Sequence, residues 1–508
     1  MATIPSKDMA KRPSFNEDKS SIAEGQVVVR RTTDNREPES LRNLDEDEIK
    51  RLNRKLVRKI DSYILPTIGI LYILNYVDRQ NLSAAKLAGI MEDLDMTTQQ
   101  FATAISILFC GYLPFQIPSN LLITRIPRPG MYICLAVTIW GAISAATSAV
   151  NTYGQLLAVR AILGMVEAVF FPGAIYYLSA WYTKKELGKR FAALYIAQQV
   201  GNAFGGLFAA AIIKLDGTYG IAGWRWLFIV EGSATVGIGI ICACLMPEFP
   251  HNTRMLSQVE RDLAVWRIES EAGAAEGTEN ESLFRSFVKA LSDPKLILLI
   301  ICNLLSQGQG SIANWFPTLV SSLGYSSTTS LLLTAPPYIL AGFVYYAIMF
   351  VSDKKNTAYP LILGCISIAT AMYIIPMATT STGARYFSMM LLPFASVGPQ
   401  ILLYKTINLH LARPVSKRAA ASALVNAIGG TSNIWTSYLY YAPPHYFAAF
   451  GTLMACALLF AATITLYRWL VLRDNKRLDS NDPEQIAKVM KAGVTQEMVD
   501  LGWRYEMY

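Results

Sequence analysis

The stretch "LYILNYVDRQNLSAAKLAGI", residues 71–90, begins as an apolar run and then places Asp78 next to Arg79. Apolar residues are gathered into long blocks throughout the 508-residue chain, which is 53% hydrophobic and only 16% charged. A helix that crosses a bilayer needs about 20 mostly apolar residues, because backbone groups cannot remain unpaired in lipid. The composition therefore predicts a polytopic membrane protein, and two charges inside a predicted span require a physical reason.

About twelve such blocks predict an all-α membrane protein with two pseudo-symmetric halves of six transmembrane helices each. The predicted spans are 62–84, 99–123, 131–150, 154–180, 191–213, 225–246, 296–320, 330–351, 359–378, 386–411, 418–440 and 446–471. The predicted domains are an N-terminal tail with an interfacial helix (1–60), the first half (61–247), a middle loop (248–293), the second half (294–472) and a C-terminal tail (473–508).

Two polar segments outside the spans have amphipathic spacing. "LDEDEIKRLNRKLVRKID", residues 44–61, predicts a short helix on the inner leaflet, and "LSQVERDLAVWRIESE", residues 256–271, predicts a second one in the middle loop. A regulatory docking site is the alternative for the middle-loop segment. The first 40 residues and residues 271–282 are polar enough to be disordered.

Basic residues flank the spans on one side only, at the N-terminal flank, after predicted spans 4 and 10, and at the C-terminal flank. The positive-inside rule then predicts that both termini and the middle loop are cytoplasmic. The net charge of +8 is a topology signal and gives no reason to invoke nucleic acid. The polar first 60 residues lack the apolar core of a cleavable signal peptide, so the first predicted span is the expected targeting signal. We expect the protein to be a monomer in the lipid bilayer, and the plasma membrane is its expected location.

The chain has little material for a metal centre or an enzyme active site. Its seven cysteines all fall within predicted spans, where a thiol acts as a small apolar group, and its three histidines are far apart in sequence. We expect no disulfide framework, no metal and no cofactor. A membrane-embedded enzyme is disfavoured, because no nucleophile or phosphate-binding motif is recognisable.

The fourth predicted span, 154–180, contains a second pair of charges, Arg160 and Glu167. A separation of seven residues is almost two helical turns, so both side chains point the same way, and Gly164 between them leaves room. A structural ion pair and a functional pair, in which a titratable carboxyl lies beside an anion-binding arginine, are both consistent with this pattern. For Asp78 and Arg79 the alternative is snorkelling to the outer interface.

The arrangement resembles the major facilitator superfamily, and several motifs resemble its allantoate permease branch, the fungal type within the anion:cation symporters. The stretches that resemble it include "YVDRQNLSAAKLAGI", "LFCGYLPFQIPSNLLITR", "RAILGMVEAVFFPG", "GWRWLFIVEGSATV", "FPTLVSSLGYSS" and "LLLTAPPYI". Two segments depart from the pattern, because "TRIPRPG" lacks the usual acid and "TINLHLARPVSKR" lacks the usual paired asparagines and glycine.

The resemblance implies proton-coupled uptake of a small, often anionic, organic solute by alternating access. Similar animal organic anion transporters use residues that match Arg79, Arg160 and Glu167. The predicted site comprises substrate-binding Arg79, Arg160, Asn75, Tyr76, Tyr112, Gln116 and Asn314, proton-coupling Glu167 and Asp78, and a conformational latch of Asp353, Lys354 and Arg190.

In the expected cycle, Glu167 takes up a proton and releases Arg160, so that an anion binds to Arg160 and Arg79 before the halves rock. Two alternatives remain open at this point. An exporter of a secondary metabolite would use the same fold in the other direction. A nutrient receptor that does not transport would bind the solute without accumulating it.

Overall fold

The computed structural model describes residues 38–42, 44–123, 125–273, 294–355, 357–410, 424–480 and 482–490. These residues form helices joined by short turns, and no strand occurs among them. Eleven helices in this part of the chain are long and apolar enough to cross a membrane. They run over Glu46–Leu87, Thr98–Asn120, Pro129–Ala149, Tyr153–Trp181, Glu186–Leu215, Gly223–Leu245, Pro294–Ser321, Ser327–Lys355, Tyr359–Ala378, Thr382–Ile407 and Phe447–Asp479. The predicted all-α membrane fold is confirmed.

We number these helices as spans 1 to 10 and span 12, because the predicted span 418–440 lies between the last two. Residues 411–423 are outside the description, and residues 424–430 and Ser432–Thr436 form helical parts of what we call span 11. The segments expected to be disordered lie almost wholly outside the described residues.

The predicted interfacial helix is not a separate element, because residues Glu46–Leu87 form one helix of 42 residues. Asp45 caps it, and the Glu48 carboxylate accepts a hydrogen bond from the Asp45 amide at 3.2 Å. At 1.5 Å per residue the helix is roughly 60 Å long, about twice the thickness of a hydrocarbon core. The separate-helix prediction was wrong because no residue between 46 and 62 interrupts helical geometry.

The middle-loop helix, Gln258–Gly273, packs against the first half. Leu263 is 2% exposed, and the buried Arg267 guanidinium donates hydrogen bonds to Glu186 at 3.2 Å and to Asn53 at 3.1 Å. Lys59 of span 1 forms an ion pair with Glu260 at 2.8 Å. Protein contacts therefore account for the amphipathic pattern of this helix.

Each half is a helix bundle whose neighbours approach closely. Spans 1 and 5, 2 and 4, and 3 and 6 pack in the first half, and spans 7 and 12 and spans 9 and 10 pack in the second. Gly232 and Gly164 allow two of these approaches. A Cβ on Gly232 would lie 2.4 Å from the Ala145 backbone nitrogen, and one on Gly164 would lie 2.1 Å from the Leu108 carbonyl oxygen.

The two halves meet through spans 1, 2 and 5 of the first half and spans 7, 8 and 11 of the second. Lys59, near the start of span 1, contacts Glu260 of the middle-loop helix. Lys295, at the start of span 7, contacts Asp474 near the end of span 12 at 2.7 Å. These helix ends lie on one side of the bundle. We call this the terminal side, and the other the opposite side.

Candidate functional site: a polar cavity between the two halves

A cavity of about 170 Å³ lies between the halves, and spans from both halves line it. Aromatic and amide side chains dominate its wall. Six of the seven predicted substrate-binding residues line it, namely Asn75, Tyr76, Arg79, Tyr112, Gln116 and Asn314. The seventh, Arg160, is 4% exposed and is absent from the wall. Six of the predicted residues therefore lie together on one cavity wall, whereas Arg160 does not reach it.

Amides that the sequence analysis did not select also line the cavity, including Gln198, Gln199, Asn202, Gln307, Gln400 and Asn426. They occur on spans 5, 7, 10 and 11. The signal that could have found them is an amide in an otherwise apolar block, since a buried amide needs a partner or water. That signal is weak, because amides also join helices inside bundles.

Arg79 is the only charged side chain among the described residues that line the cavity. Its Nε donates to Glu167 Oε2 at 3.0 Å, and its guanidinium lies 5.6 Å from the Tyr76 ring centroid and 5.1 Å from that of Tyr112. The Arg79 side chain is 19% exposed, whereas that of Glu167 is 0% exposed. Arg79 therefore faces the cavity with its counter-ion behind it.

The position of Glu167 follows from an interruption in span 4. The first helical segment, Tyr153–Glu167, ends at this residue, and the second, Phe170–Trp181, begins three residues later. Pro172 has no N–H to donate to the Ala168 carbonyl, so the regular helix pattern breaks there. Glu167 thus lies at a break in the helix, at the middle depth of the bundle.

The predicted pairing of Arg160 with Glu167 was wrong, since the described residues show no ion pair between them. Glu167 pairs with Arg79, and Arg160 Nε donates to the Ala104 carbonyl at 3.5 Å. Gly164 accommodates the Leu108 backbone and does not leave room between the two side chains. The sequence separation placed Arg160 and Glu167 on one face of the helix, but it could not show which arginine of the bundle lies nearer to Glu167.

Asp78 does not snorkel to a surface, because it is 3% exposed. Its Oδ1 accepts hydrogen bonds from Ser144 of span 3 and from Asn81 Nδ2, the latter at 3.3 Å. Buried charges therefore lie on both spans, with Asp78 on span 1 and Arg160 and Glu167 on span 4.

Two of the three residues predicted to form a latch, Asp353 and Arg190, make ion pairs within their own halves. Asp353 Oδ1 lies 2.7 Å from Lys405 Nζ, and Arg190 Nη2 lies 2.6 Å from Asp61 Oδ2. Lys354 is exposed at the end of span 8. Their role in conformational change stays a prediction. Lys405 is absent from the described cavity wall.

Contacts between the halves concentrate toward the opposite side. Ser83 donates to the Asn314 carbonyl, Ser106 to that of Ile434 at 2.8 Å, and Tyr438 to Thr103 at 3.1 Å. Lys86 Nζ lies 4.5 Å from the Trp315 ring centroid and 4.9 Å from that of Phe101. In this structure the two halves are therefore in contact on the opposite side.

Two helical bundles around a central polar cavity define a membrane protein of the kind that moves solutes between its halves. The model of the Major Facilitator Superfamily matches residues 68–437. The chain belongs to this superfamily of membrane transporters.

Curated relatives include the MFS-type transporter cnsO of Penicillium expansum, which is 32% identical over 469 residues, 88% of this chain and 89% of that protein. The high-affinity nicotinic acid transporter of Saccharomyces cerevisiae is 28% identical over 347 residues, 67% of this chain and 63% of that protein. A bacterial homologue of the human lysosomal transporter Spinster, solved in an inward-facing, unoccupied conformation, shares the fold with a TM-score of 0.62 at 16% identity, over 80% of this chain and 96% of that one.

Proposed function

We propose that the protein is a secondary active carrier that takes up a small organic anion together with a proton. The observation that supports this most directly is Arg79, which is the only charged side chain on the described cavity wall and is held by a buried carboxylate. A guanidinium keeps its charge when buried and binds a carboxylate through two parallel hydrogen bonds. The proposed assignment to the allantoate permease branch is consistent with this chemistry.

The walls around Arg79 favour an anion with a planar, partly apolar body. Tyr76 and Tyr112 flank the guanidinium, and Tyr72, Phe109 and Phe171 also line the cavity. The amides opposite them offer both donors and acceptors to polar groups of the solute. Nicotinate, the solute in the name of one relative, belongs to this chemical class and serves here as a probe.

Proton coupling in this proposal depends on competition for Arg79. While Glu167 is ionised it occupies the guanidinium at 3.0 Å, so an incoming carboxylate would meet a like charge. Protonation of Glu167 removes that charge and frees Arg79 for the solute. The proton and the anion therefore bind together, and the halves then rock around them.

Arg160 has a different part in this proposal from the one expected from sequence. It is buried, donates to the Ala104 carbonyl and is absent from the cavity wall, so in this proposal it stabilises negative charge in the first half without touching the solute. With the predicted orientation, the terminal side is cytoplasmic and the contacts on the opposite side close the outer face. The plasma-membrane location and the monomeric state also stay predictions.

The test uses purified protein in liposomes with an imposed pH gradient and radiolabelled nicotinate. We expect Glu167→Gln to abolish accumulation driven by the gradient while nicotinate counterflow continues. Glu248→Gln is the matched control, since Glu248 pairs with Arg128 at 3.0 Å outside the cavity. Unchanged accumulation by Glu167→Gln would contradict the coupling role.

The same assay separates the competing functions. Accumulation only when the pH gradient is reversed would identify an exporter. Specific binding of nicotinate without counterflow would identify a receptor that does not transport.

A further inference from the structure

One contact between the two halves on the opposite side involves a full charge. Lys86, in the last turn of span 1, places its Nζ 4.5 Å from the ring centroid of Trp315 in span 7 and 4.9 Å from that of Phe101 in span 2. Both distances are within the roughly 6 Å over which an aromatic face attracts a cation. Lys86 forms no ion pair with any residue that the structure describes, so ring faces hold its charged group in place of a carboxylate.

The two rings around Lys86 belong to different halves. Phe101 and Trp315 are both buried, and their rings meet edge to face with centroids 5.4 Å apart. The Trp315 ring is also stacked on Tyr440 of the second half, with centroids 5.2 Å apart, so it should move with that half. Separation of the halves on the opposite side therefore removes Trp315 from Lys86 and leaves Phe101 in place.

The preceding residues of span 1 place Lys86 in register with span 7. The Gln80 amide donates to the Ala313 carbonyl at 3.4 Å, and the Ser83 hydroxyl donates to the Asn314 carbonyl. Residues three apart lie on one face of a helix. Lys86 is the next residue on this face, and it meets the next residue of span 7.

Span 7 offers these partners because its α-helix is interrupted. A 3₁₀ segment, Ser311–Trp315, separates Pro294–Gly310 from Phe316–Ser321. Pro317 has no N–H to donate to the Ala313 carbonyl, so regular α-helical bonding cannot continue there. The irregular turn that contacts span 1 therefore has a cause in the sequence.

We propose that Lys86 and Trp315 are gating residues, whose contact holds the halves together on the opposite side and breaks each time the cavity opens to that side. A cation on an aromatic face suits this role, because the contact is weaker than a buried ion pair and can be broken in every cycle. The inference rests on alternating access in the proposed function, but it needs neither a particular solute nor a coupling proton.

The test measures, without any solute, how readily the halves separate on the opposite side. Ser106 is the reporter position, because it is buried and its hydroxyl donates to the Ile434 carbonyl of span 11 at 2.8 Å, outside the contact of spans 1 and 7. Ser106→Cys is introduced into the full chain together with Cys110→Ala and Cys244→Ala, which remove the two exposed cysteines. The measured quantity is the rate at which a water-soluble maleimide modifies this reporter in lipid nanodiscs.

We expect Lys86→Met and Trp315→Leu each to raise the labelling rate roughly threefold or more, because either change removes the contact. The double variant should be labelled no faster than the faster single variant, because both changes remove the same interaction. Lys86→Arg should keep labelling slow, since a guanidinium also binds aromatic faces. Lys214→Met is the matched control, because Lys214 is an exposed lysine at the same end of the bundle, and this change should leave the rate unchanged.

An unchanged rate in Lys86→Met would overturn the inference, and so would effects of the two substitutions that multiply in the double variant. The same variants without Ser106→Cys should stay unlabelled, because their five remaining cysteines are buried. Labelling of those variants would show general loosening of the fold and would also overturn the inference. If Trp315→Leu does not fold, the comparison of Lys86→Met with Lys86→Arg tests the inference alone. Failure of the wild type to transport nicotinate would count against the proposed function and would leave the labelling result intact.

Discussion

The two halves of the molecule place their buried charges at different depths. In the first half, Asp78, Arg79, Arg160, Glu167 and Glu231 lie well inside their spans. In the second half the buried charges lie near the ends of spans. Lys295 pairs with Asp474 at 2.7 Å on the terminal side, and Arg385 donates to the Pro444 carbonyl and to Ser322 at 3.2 Å.

This difference indicates that the two halves, although similar in fold, have different roles. The second half contributes neutral groups to the cavity, such as Gln307, Gln400 and Asn426, which can select a solute by hydrogen bonds. The first half contributes the charge on the cavity wall and, in the proposed mechanism, the proton-binding Glu167. Coupling should therefore fail when the first half is altered, whereas selectivity should change when the second half is altered.

The largest effect should follow substitution of Arg79 by methionine. This change removes the cavity cation and leaves Glu167 buried without its 3.0 Å partner. Truncating one member of a buried charge pair costs about 2–5 kcal/mol, so we expect roughly a thirtyfold or greater loss in kcat/KM for nicotinate. The loss in kcat/KM is measured from the kinetics of uptake into liposomes.

Arg385→Met is the matched control for that prediction, because Arg385 is also buried, at 3% exposed, but belongs to the second half. We expect it to lower thermal stability while the folded fraction keeps its pH coupling. If Arg385→Met abolishes coupling and Arg79→Met does not, the division between the halves is wrong.

The second prediction concerns the packing that positions the buried charges of span 4, Arg160 and Glu167. A Cβ at Gly164 would lie 2.1 Å from the Leu108 carbonyl oxygen, so Gly164→Ala must push spans 2 and 4 apart. Overpacking of this kind typically costs about 1–3 kcal/mol. We expect a lower unfolding temperature and weaker coupling, because Arg160 and Glu167 lie on the displaced helix.

Gly364→Ala in span 9 tests whether that effect is local. A Cβ at Gly364 meets nothing within 4 Å, so this helical position should tolerate alanine. Equal loss of stability in both variants would show that the effect reflects helix substitution in general.

The fold could be predicted from the sequence because lipid imposes a simple constraint on it. Each apolar block had to be a helix, and the loop charges predicted the orientation. The continuous helix Glu46–Leu87 was missed because a change from polar to apolar residues marks the membrane surface without ending a helix. Hydropathy locates spans, whereas helix ends require capping or breaking residues.

The site was predicted less completely, for a physical reason. Buried charges are conspicuous in an apolar block, so Asp78, Arg79, Arg160 and Glu167 could be selected from sequence. Their pairing depends on how spans 1 and 4 pack, which no spacing within one helix reveals. The actual partner of Glu167 lies 88 positions away along the chain.

A smaller effect is expected from Asn426→Ala in the second half. The Asn426 amide oxygen accepts a hydrogen bond from the Tyr404 hydroxyl at 3.1 Å, and both residues line the cavity. Loss of one neutral hydrogen bond is worth about 0.5–1.5 kcal/mol, or roughly two- to tenfold in KM. Competition by a panel of aromatic acids should show altered selectivity, and altered proton coupling would contradict the division.

The smallest effect should lie outside the membrane, where the middle-loop helix docks on span 1. Burial alone raises the pKa of Glu260, but the Lys59 ion pair at 2.8 Å and hydrogen bonds from Ser257 outweigh burial and lower this pKa below its ordinary value. Because the folded pKa is depressed, the pair stabilises docking above the unfolded pKa, and the effect is lost as pH falls through the folded pKa. Glu260→Gln should therefore cost about 0.2–1 kcal/mol at neutral pH and nothing at acidic pH, as measured by unfolding midpoints in nanodiscs. The exposed Glu269 on the same helix provides the control substitution Glu269→Gln, and a pH-independent difference for Glu260→Gln would show that packing, not charge, holds this helix to the first half.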